Sequence, residues 1–478
     1  MAGEIENPDV LVIGAGLSGL GAALELERRG RRVQVVDANR LPGGVIETQA
    51  VKGYRVERGA NTFRIHAALE ASLRDFDLAQ IPELALPESR SRFLYHDGQL
   101  QAVPMRPLEM VRSRLLSAGA KRQLLKEAFV PRGDAAGESV AEFVDRRLGS
   151  ETRKALVGPF LTGVYAGDET RLGAEAVFPA LVESERRSGS IVRGSLSNWL
   201  RSRRQAGPRS RSGSWSGPAG MSGLVDALVG RLATAPLQQR RVLSLRAEGS
   251  GWLAELRGPK GEECVRAPAV IVATPAHAAE GLLRAVDEEI ASLLAAIEYA
   301  PIASLAFGLD PAHSGTPIEG FGFLVPREAN LGLLGCLFMS RLFKGRAPEG
   351  KELLHVMAGG VRWPEAVDLP DDLLRKRLLG ELDRVLGLRA EPELISVARW
   401  PKAVPQPGVD HVGRVKAIRR RLDAHPGLAL AGGYLDGVSV ADALVSGVTA
   451  ARMLSDRLET QLGSALGQGA SPSTSPPT

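Results

Sequence analysis

The stretch that decides the fold runs from Asp9 to Ala38: DVLVIGAGLSGLGAALELERRGRRVQVVDA. Val10 to Ile13 is a short apolar run, the pattern of a strand buried on both faces. Gly14, Gly16 and Gly19 follow in Gly-x-Gly-x-x-Gly spacing. The first permits a sharp turn, the second lets backbone approach a pyrophosphate, and the third lets a helix pack on the strand. The amphipathic run from about Ser18 to Arg29 predicts a helix with its N-terminal amides on the phosphates. Gly30 ends it and Arg32 to Val36 forms the next strand. Asp37 closes that strand 18 residues past Gly19, placed to accept a ribose hydroxyl. The unit reads as an α/β, Rossmann-like dinucleotide site.

Features farther along identify the dinucleotide as FAD. Gly43 and Gly44, in RLPGGVIET, supply a further close backbone approach that a nicotinamide site does not need. Gly427 to Leu454 (GLALAGGYLDGVSVADALVSGVTAARML) is another strand, glycine turn and helix near the other end of the chain. A nucleotide site built from both ends suits a long flavin cofactor. The helix starting near Ser439 is placed to direct its positive end at the flavin ring. Arg266 to Leu283 adds a strand ending in Ala-Thr-Pro, expected in the same sheet as RRVLSLRAE, where the Val242 backbone faces the adenine edge. The expected cofactor contacts are Gly14, Gly16, Leu17, Ser18, Gly19, Asp37, Ala38, Gly43, Gly44, Val242, Ala273, Gly432, Val438 and Val440. No second Gly-x-Gly-x-x-Gly is present for a nicotinamide, so an organic substrate is expected to reduce the flavin and oxygen or a quinone to reoxidise it.

The bulk properties narrow the class. At 478 residues the chain exceeds one ordinary core, so two or three domains are expected. The net charge of +5 draws on RSRRQAGPRSR (Arg201 to Arg211), read as a solvated loop without a nucleic-acid partner. Two separated cysteines, Cys264 and Cys336, allow no disulfide framework, and the seven histidines show no metal-ligand spacing. The acidic start lacks a signal-peptide n-region, and no apolar run is long enough to span a bilayer, so a cytoplasmic protein is expected. The tail GQGASPSTSPPT is expected to be disordered.

From Val10 to Leu454 the chain resembles the protoporphyrinogen oxidases, a branch of the flavin amine oxidase and phytoene desaturase superfamily. VIGAGLSGL, LPGG, ERGANTF, RFLYHDGQLQAVP, TGVYAGD, VIVATPAHA, YAPIASLAFG, GFGFLVP, VMAGG and LAGGYLDGVSVADAL carry the likeness. The resemblance implies removal of six electrons from a porphyrinogen at FAD in three two-electron rounds that consume oxygen. It implies that Arg92 pairs with a propionate, with Arg64 as a second candidate, and that Phe321, Gly322 and Leu324 hold a pyrrole ring, with Met357 as a further pocket contact. No clustered His, Asp or Glu suggests a general base, so orientation is expected to carry the reaction and no catalytic side chain is nominated.

The implied domains are discontinuous: an FAD domain from 1–75, 213–283 and 425–462, a helical membrane-associating domain over 85–200, and a substrate domain from 76–84 and 284–424. Residues 201–212 are a flexible loop and 463–478 a tail. Basic amphipathic helices over 108–133 and 139–168 suit a peripheral contact with the inner membrane face. A downstream ferrochelatase is the implied partner, and monomer and homodimer stay open. The chain departs from the family pattern at Ala441, Ala443 and Gln406-Pro407, segments expected at the flavin. Coproporphyrinogen, an amine or a polyene are rival substrates, and a non-catalytic flavin-binding protein is the rival of another class.

Overall fold

The computed structural model describes residues 3–4, 7–104, 107–195, 197 and 211–468. Its centre is a four-stranded parallel sheet in the order Leu428–Leu430, Ala269–Val272, Val10–Ile13, Val33–Val36. The last three strands are buried throughout, as a doubly covered sheet requires; two are wholly apolar, and the third admits Gln34, whose Nε2 donates to Val35 O at 2.9 Å.

The helix Leu17–Arg28 follows the glycine turn and lies against the C-terminal helix Val440–Gln468. The two backbones nearly touch. A Cβ on Gly447 would stand 1.8 Å from the Ser18 carbonyl oxygen, and one on Gly21 2.7 Å from that of Leu444. Ala441 and Leu444 fill the seam, 1% and 0% exposed. The family departure at Ala441 therefore concerns this packing rather than the flavin face. The C-terminal helix also continues to Gln468, past the boundary expected at 463. Residues 198–210, most of the expected basic loop, and 469–478 lie outside the described residues.

Buried Glu25 ties the same two helices. Its carboxylate accepts from Arg28 and Arg29 at 3.0 Å and from Arg452 at 2.9 Å. Burial alone would raise its pKa, but the three guanidiniums outweigh burial and bring it down from 4.5 to about 2. A depressed carboxylate stabilises the fold above its unfolded pKa and ceases to do so as pH falls through its folded one. Thermal stability should therefore drop between pH 4.5 and about 2, and Glu25→Gln should flatten that part of a Tm-against-pH curve.

Two further sheets flank this core. Arg241–Glu248 forms a separate antiparallel sheet with Gly251–Gly258 and Gly261–Ala267. It does not join the strand ending in Ala-Thr-Pro, because alternating exposure gives it one wet face. The substrate sheet has seven strands in the order Glu393–Pro405, Tyr299–Leu309, Glu352–Gly359, Leu333–Phe338, Gly322–Leu324, Phe93–His96, Gln99–Ala102. The hairpin 93–102 thus extends this sheet, and the helical part begins at Pro107 rather than 85. Phe323, Cys336, Val356 and Leu305 form one cross-strand row on its core face, with Leu374, Leu378 and Leu382 of the helix Asp371–Leu386 in the same apolar cluster.

The second expected basic helix departs from its basic face at Arg146 and Arg147. Arg147 is fully buried on the Glu127 carboxylate and near Glu185, and Arg146 pairs with Glu138 and Glu185. Basic residues at helical spacing read alike whether they face solvent or an internal acid. Among the described residues, no helix is long and apolar enough to cross a membrane.

Candidate functional site

The expected glycines 14, 16, 43 and 432 and Ala273 gather at the carboxyl ends of the parallel strands, where open α/β sheets bind ligands. Gly16 and Gly43 form an isolated parallel bridge, and Gly43 N donates to Ala15 O at 2.8 Å. Ala273 N donates to Ile13 O at 2.8 Å, which sets Ala273 behind Gly14. Gly14 needs its missing Cβ: φ is +109°, and a Cβ would meet Ala273 O at 2.8 Å. Gly16 is different, because φ is −71° and a Cβ there would meet only Gly44 Cα at 4.0 Å. Its open side faces the space that a phosphate chain must cross.

Gly16 is the N-cap of the helix Leu17–Arg28, and no side chain caps it. The first-turn amides of Leu17, Ser18 and Gly19 therefore remain for an anion. Ser18 contributes only backbone here, since its hydroxyl donates to Ala443 O at 2.7 Å. Asp37 is buried, and its carboxylate accepts from Ala15 N at 2.6 Å and Asn39 N at 2.7 Å. It holds the glycine loop in shape. Arg240 N donates to Asp37 O at 2.7 Å, bringing Val242, on the edge strand of its sheet, beside exposed Ala38.

Gly432 ends the strand Leu428–Leu430, and its amide donates to Ser446 Oγ at 3.0 Å. The helix behind it is capped: Ser439 Oγ accepts from Asp442 N at 3.1 Å. Val438 packs on the helical part and Val440 on the core seam.

These residues fit FAD. Besides the open side of Gly16 and the uncapped amides, Thr274 Oγ1 is buried without a partner next to Ala273. Val45, beside Gly44, is 45% exposed. Sequence reasoning missed Thr274, whose signal was its place in Ala-Thr-Pro.

The expected substrate residues Arg92 and Phe321 meet for a topological reason. Gly322–Leu324 pairs parallel with Phe93–His96 in the register Phe323 to Phe93, and Phe321 N donates to Ser91 O at 2.7 Å. This sets Arg92 beside Phe321, with its guanidinium carbon 4.5 Å from the ring centroid. Arg92 Nη2 also reaches Ser214 Oγ at 3.4 Å, a contact that nothing in the sequence announced. Burial first, and Arg64 second, hold the Arg92 pKa below its ordinary value. Phe321 packs on the cluster of Tyr54, Met339 and Phe343.

Leu324, Gly335, Met357 and Ser304 form the cross-strand row on the face opposite Phe323. The helix Gly158–Tyr165 lies against this row: a Cβ on Gly163 would stand 2.8 Å from Leu324 Cδ2. Gly322 is required by the sheet itself, since its φ is +125° and a Cβ would meet Cys336 O at 2.1 Å. Clearance for a macrocycle is not what demands that glycine. Pro407 braces the helical part by accepting from Gly173 N at 2.8 Å, and Gln406 Nε2 donates to Tyr165 O at 2.8 Å.

Residues 17–454 match the family described as flavin containing amine oxidoreductase. A mitochondrial protoporphyrinogen oxidase of Nicotiana tabacum is 30% identical over 480 residues, covering 94% of this chain and 95% of that protein. The human protoporphyrinogen oxidase is 31% identical over 92% of this chain and 97% of that protein. A coproporphyrinogen III oxidase of Bacillus subtilis is 27% identical over 92% and 96%. Among solved structures, a candidate protoporphyrinogen oxidase from Exiguobacterium sp. 255-15 superposes with a TM-score of 0.77 at 23% identity, over 96% of this chain and 100% of that one. That likeness shows the fold.

Proposed function

The chain belongs to the flavin containing amine oxidoreductases, and from that premise we propose that it is an FAD-dependent oxidase converting protoporphyrinogen IX to protoporphyrin IX, in three two-electron rounds with oxygen as acceptor. The observation that carries this reading is Arg92: a half-buried guanidinium with no carboxylate partner among the described residues, lying over the Phe321 ring beside the strand that holds Leu324. A surface arginine would be hydrated, and a structural one would be held by an acid, as Arg147 and Arg346 are, or by carbonyls, as Arg362 is at Val325 O; Arg92 has only the 3.4 Å contact with Ser214 Oγ. An apolar macrocycle with carboxylate arms supplies what Arg92 lacks.

FAD, when bound, accepts the hydride. The chain's own residues orient: Arg92 holds a carboxylate arm, Leu324 and Met357 offer the apolar wall, Phe321 fixes Arg92, and the helix Gly158–Tyr165 covers the row against water. A pyrrole N–H loses its proton readily once its ring is oxidised, so no enzymic base is required. Arg92→Ala should raise KM roughly 10- to 100-fold, the loss of one charge-assisted contact of 1.5–3 kcal/mol, and leave the flavin spectrum unchanged. Loss of the flavin instead would make Arg92 structural.

The Bacillus subtilis relative favours coproporphyrinogen as the second reading. Peripheral membrane contact belongs to the same proposal. Leu125, on the helix Ala118–Lys126 with Lys121, Arg122 and Lys126, and Phe129, on the 3-10 turn that follows, stand 78% and 80% exposed, with Arg193 over the Phe129 ring at 5.9 Å. Sedimentation with anionic vesicles should fall in Leu125→Ser/Phe129→Ser; unchanged sedimentation would move the contact elsewhere.

A further inference from the structure

His66 stands between the starts of two helices. Its ring caps the helix Ala67–Asp75, where Nδ1 accepts from Leu69 N at 3.3 Å. A ring nitrogen that accepts carries no proton, so the neutral imidazole holds its proton on Nε2. Nε2 lies 3.3 Å from Asp442 Oδ1, in the first turn of the helix Val440–Gln468. The two atoms are within ion-pairing reach, yet Nε2 has no hydrogen-bond partner. The side chains are 41% and 36% exposed, so protons from solvent reach them.

Asp442 folds back over the end of its own helix. Ser439 Oγ donates to its Oδ2 at 2.5 Å, and a Cβ on Gly437 would stand 2.5 Å from the same oxygen. The carboxylate therefore sits at the positive end of the helix dipole, the end expected at the flavin ring. The neighbouring charges are engaged elsewhere or turned to solvent. On the helix that His66 caps, Glu70 meets Arg74 at 2.8 Å and Arg211 at 3.7 Å. Arg64, two residues earlier, is exposed. On the helical part, the Tyr165 phenol is pushed up to about 12, by burial first and by the Asp442 charge second, so it stays neutral.

A second proton on His66 must go to Nδ1. There it ends the cap on Leu69 N and sets a cation at a helix N-terminus, which the dipole opposes. The same proton sets that cation against Asp442, and Coulomb attraction depends on distance rather than on hydrogen-bond alignment. The ring thus exchanges a cap for an ion pair. We propose that His66 and Asp442 are a proton-operated electrostatic pair that sets how strongly the C-terminal helix favours negative charge on the reduced flavin. With His66 neutral, Asp442 offsets the positive helix end. With His66 charged, the two side chains cancel and the helix end acts unopposed. Acid then makes the flavin easier to reduce, beyond what proton uptake by the flavin itself contributes. The inference rests on FAD lying at this helix end, and it holds whichever substrate supplies the hydride.

The test is the midpoint potential of the FAD-loaded protein, titrated without oxygen against a reference dye at about pH 8.5 and about pH 6, a range over which imidazoles change charge. The variants are His66→Asn, which keeps a helix cap without the charge, Asp442→Asn, which keeps an acceptor for Ser439, and the double variant. At the higher pH, Asp442→Asn should favour reduced flavin over wild type by about fivefold, roughly 20 mV for two electrons, as one solvent-screened charge allows. His66→Asn should match wild type there. At the lower pH, wild type should rise above His66→Asn by about the same factor. The double variant should sit with Asp442→Asn at the higher pH and lack the extra acid response. If wild type and His66→Asn run parallel between the two pH values, or if Asp442→Asn leaves the potential at the higher pH unchanged, the pair is refuted, and yellow protein keeps the FAD reading. If wild type binds no FAD, both fall.

Discussion

Gly16→Val is expected to purify as a folded, colourless protein. The argument is geometric. Backbone φ at Gly16 is −71°, which any residue adopts, and a Cβ there meets only Gly44 Cα, at 4.0 Å. The variant should thus keep its fold and its circular dichroism. Yet the isopropyl group would stand where the pyrophosphate approaches the uncapped helix N-terminus. FAD affinity should fall by at least about 100-fold, roughly 3 kcal/mol or more. Gly19 offers the contrast: a Cβ would stand 1.8 Å from Gly14 O, so Gly19→Val should fail to fold. A Gly16→Val protein that stays yellow would place the phosphates elsewhere.

The second large effect is Arg346→Ala. Arg346 and Glu57 are 2% and 0% exposed in their side chains and form an ion pair 289 residues apart in sequence. Glu57 also accepts from Thr48 Oγ1 at 2.6 Å and Met221 N at 3.0 Å, and Arg346 Nη2 donates to Ser216 Oγ at 2.7 Å. Burial pushes the Glu57 carboxyl up, and Arg346 is the main counterweight. Removing the cation leaves a buried carboxylate with no countercharge, at a cost of about 3–5 kcal/mol. Tm should fall by several degrees. The flavin should also loosen, because Glu57 leads into Gly59, which packs so closely on the segment beside Gly44 that a Cβ there would stand 1.8 Å from the Val45 carbonyl oxygen. A Glu57→Gln/Arg346→Met double variant should recover most of the loss. If the single variant melts with wild type, the pair does not stabilise the packing of the Tyr54–Glu57 strand on the loop that holds Arg346.

The dinucleotide unit was legible because each of its signals is local. Strand, glycine turn, helix and second strand lie within 30 residues, and backbone chemistry dictates each glycine. The closing unit near Gly432 was legible for the same reason. Arg92 and Phe321 were reached through resemblance, since 229 residues separate them and only the parallel register of two sheet strands unites them. What stayed hidden depends on partners distant in sequence. The basic spacing around Arg146 and Arg147 is the same on a wet helix and on a buried one, so their acids could not be named. Gly322 looked like clearance for a ligand, but its reason is Cys336 O on the neighbouring strand. Ala441 looked like a change at the flavin, and it fills the seam between the first and last helices. Ser214 carries no pattern of its own.

The most direct measurement gives the yellow, purified protein protoporphyrinogen IX in air and follows porphyrin fluorescence. Coproporphyrinogen III is run beside it, with Gly16→Val as the flavin-free control. The account predicts porphyrin formation from protoporphyrinogen well above the spontaneous rate, oxygen consumed in step, and no acceleration by the control. Faster turnover of coproporphyrinogen would reassign the substrate within the same chemistry. A rate equal to spontaneous oxidation for both substrates, from protein that carries its flavin, would contradict the account.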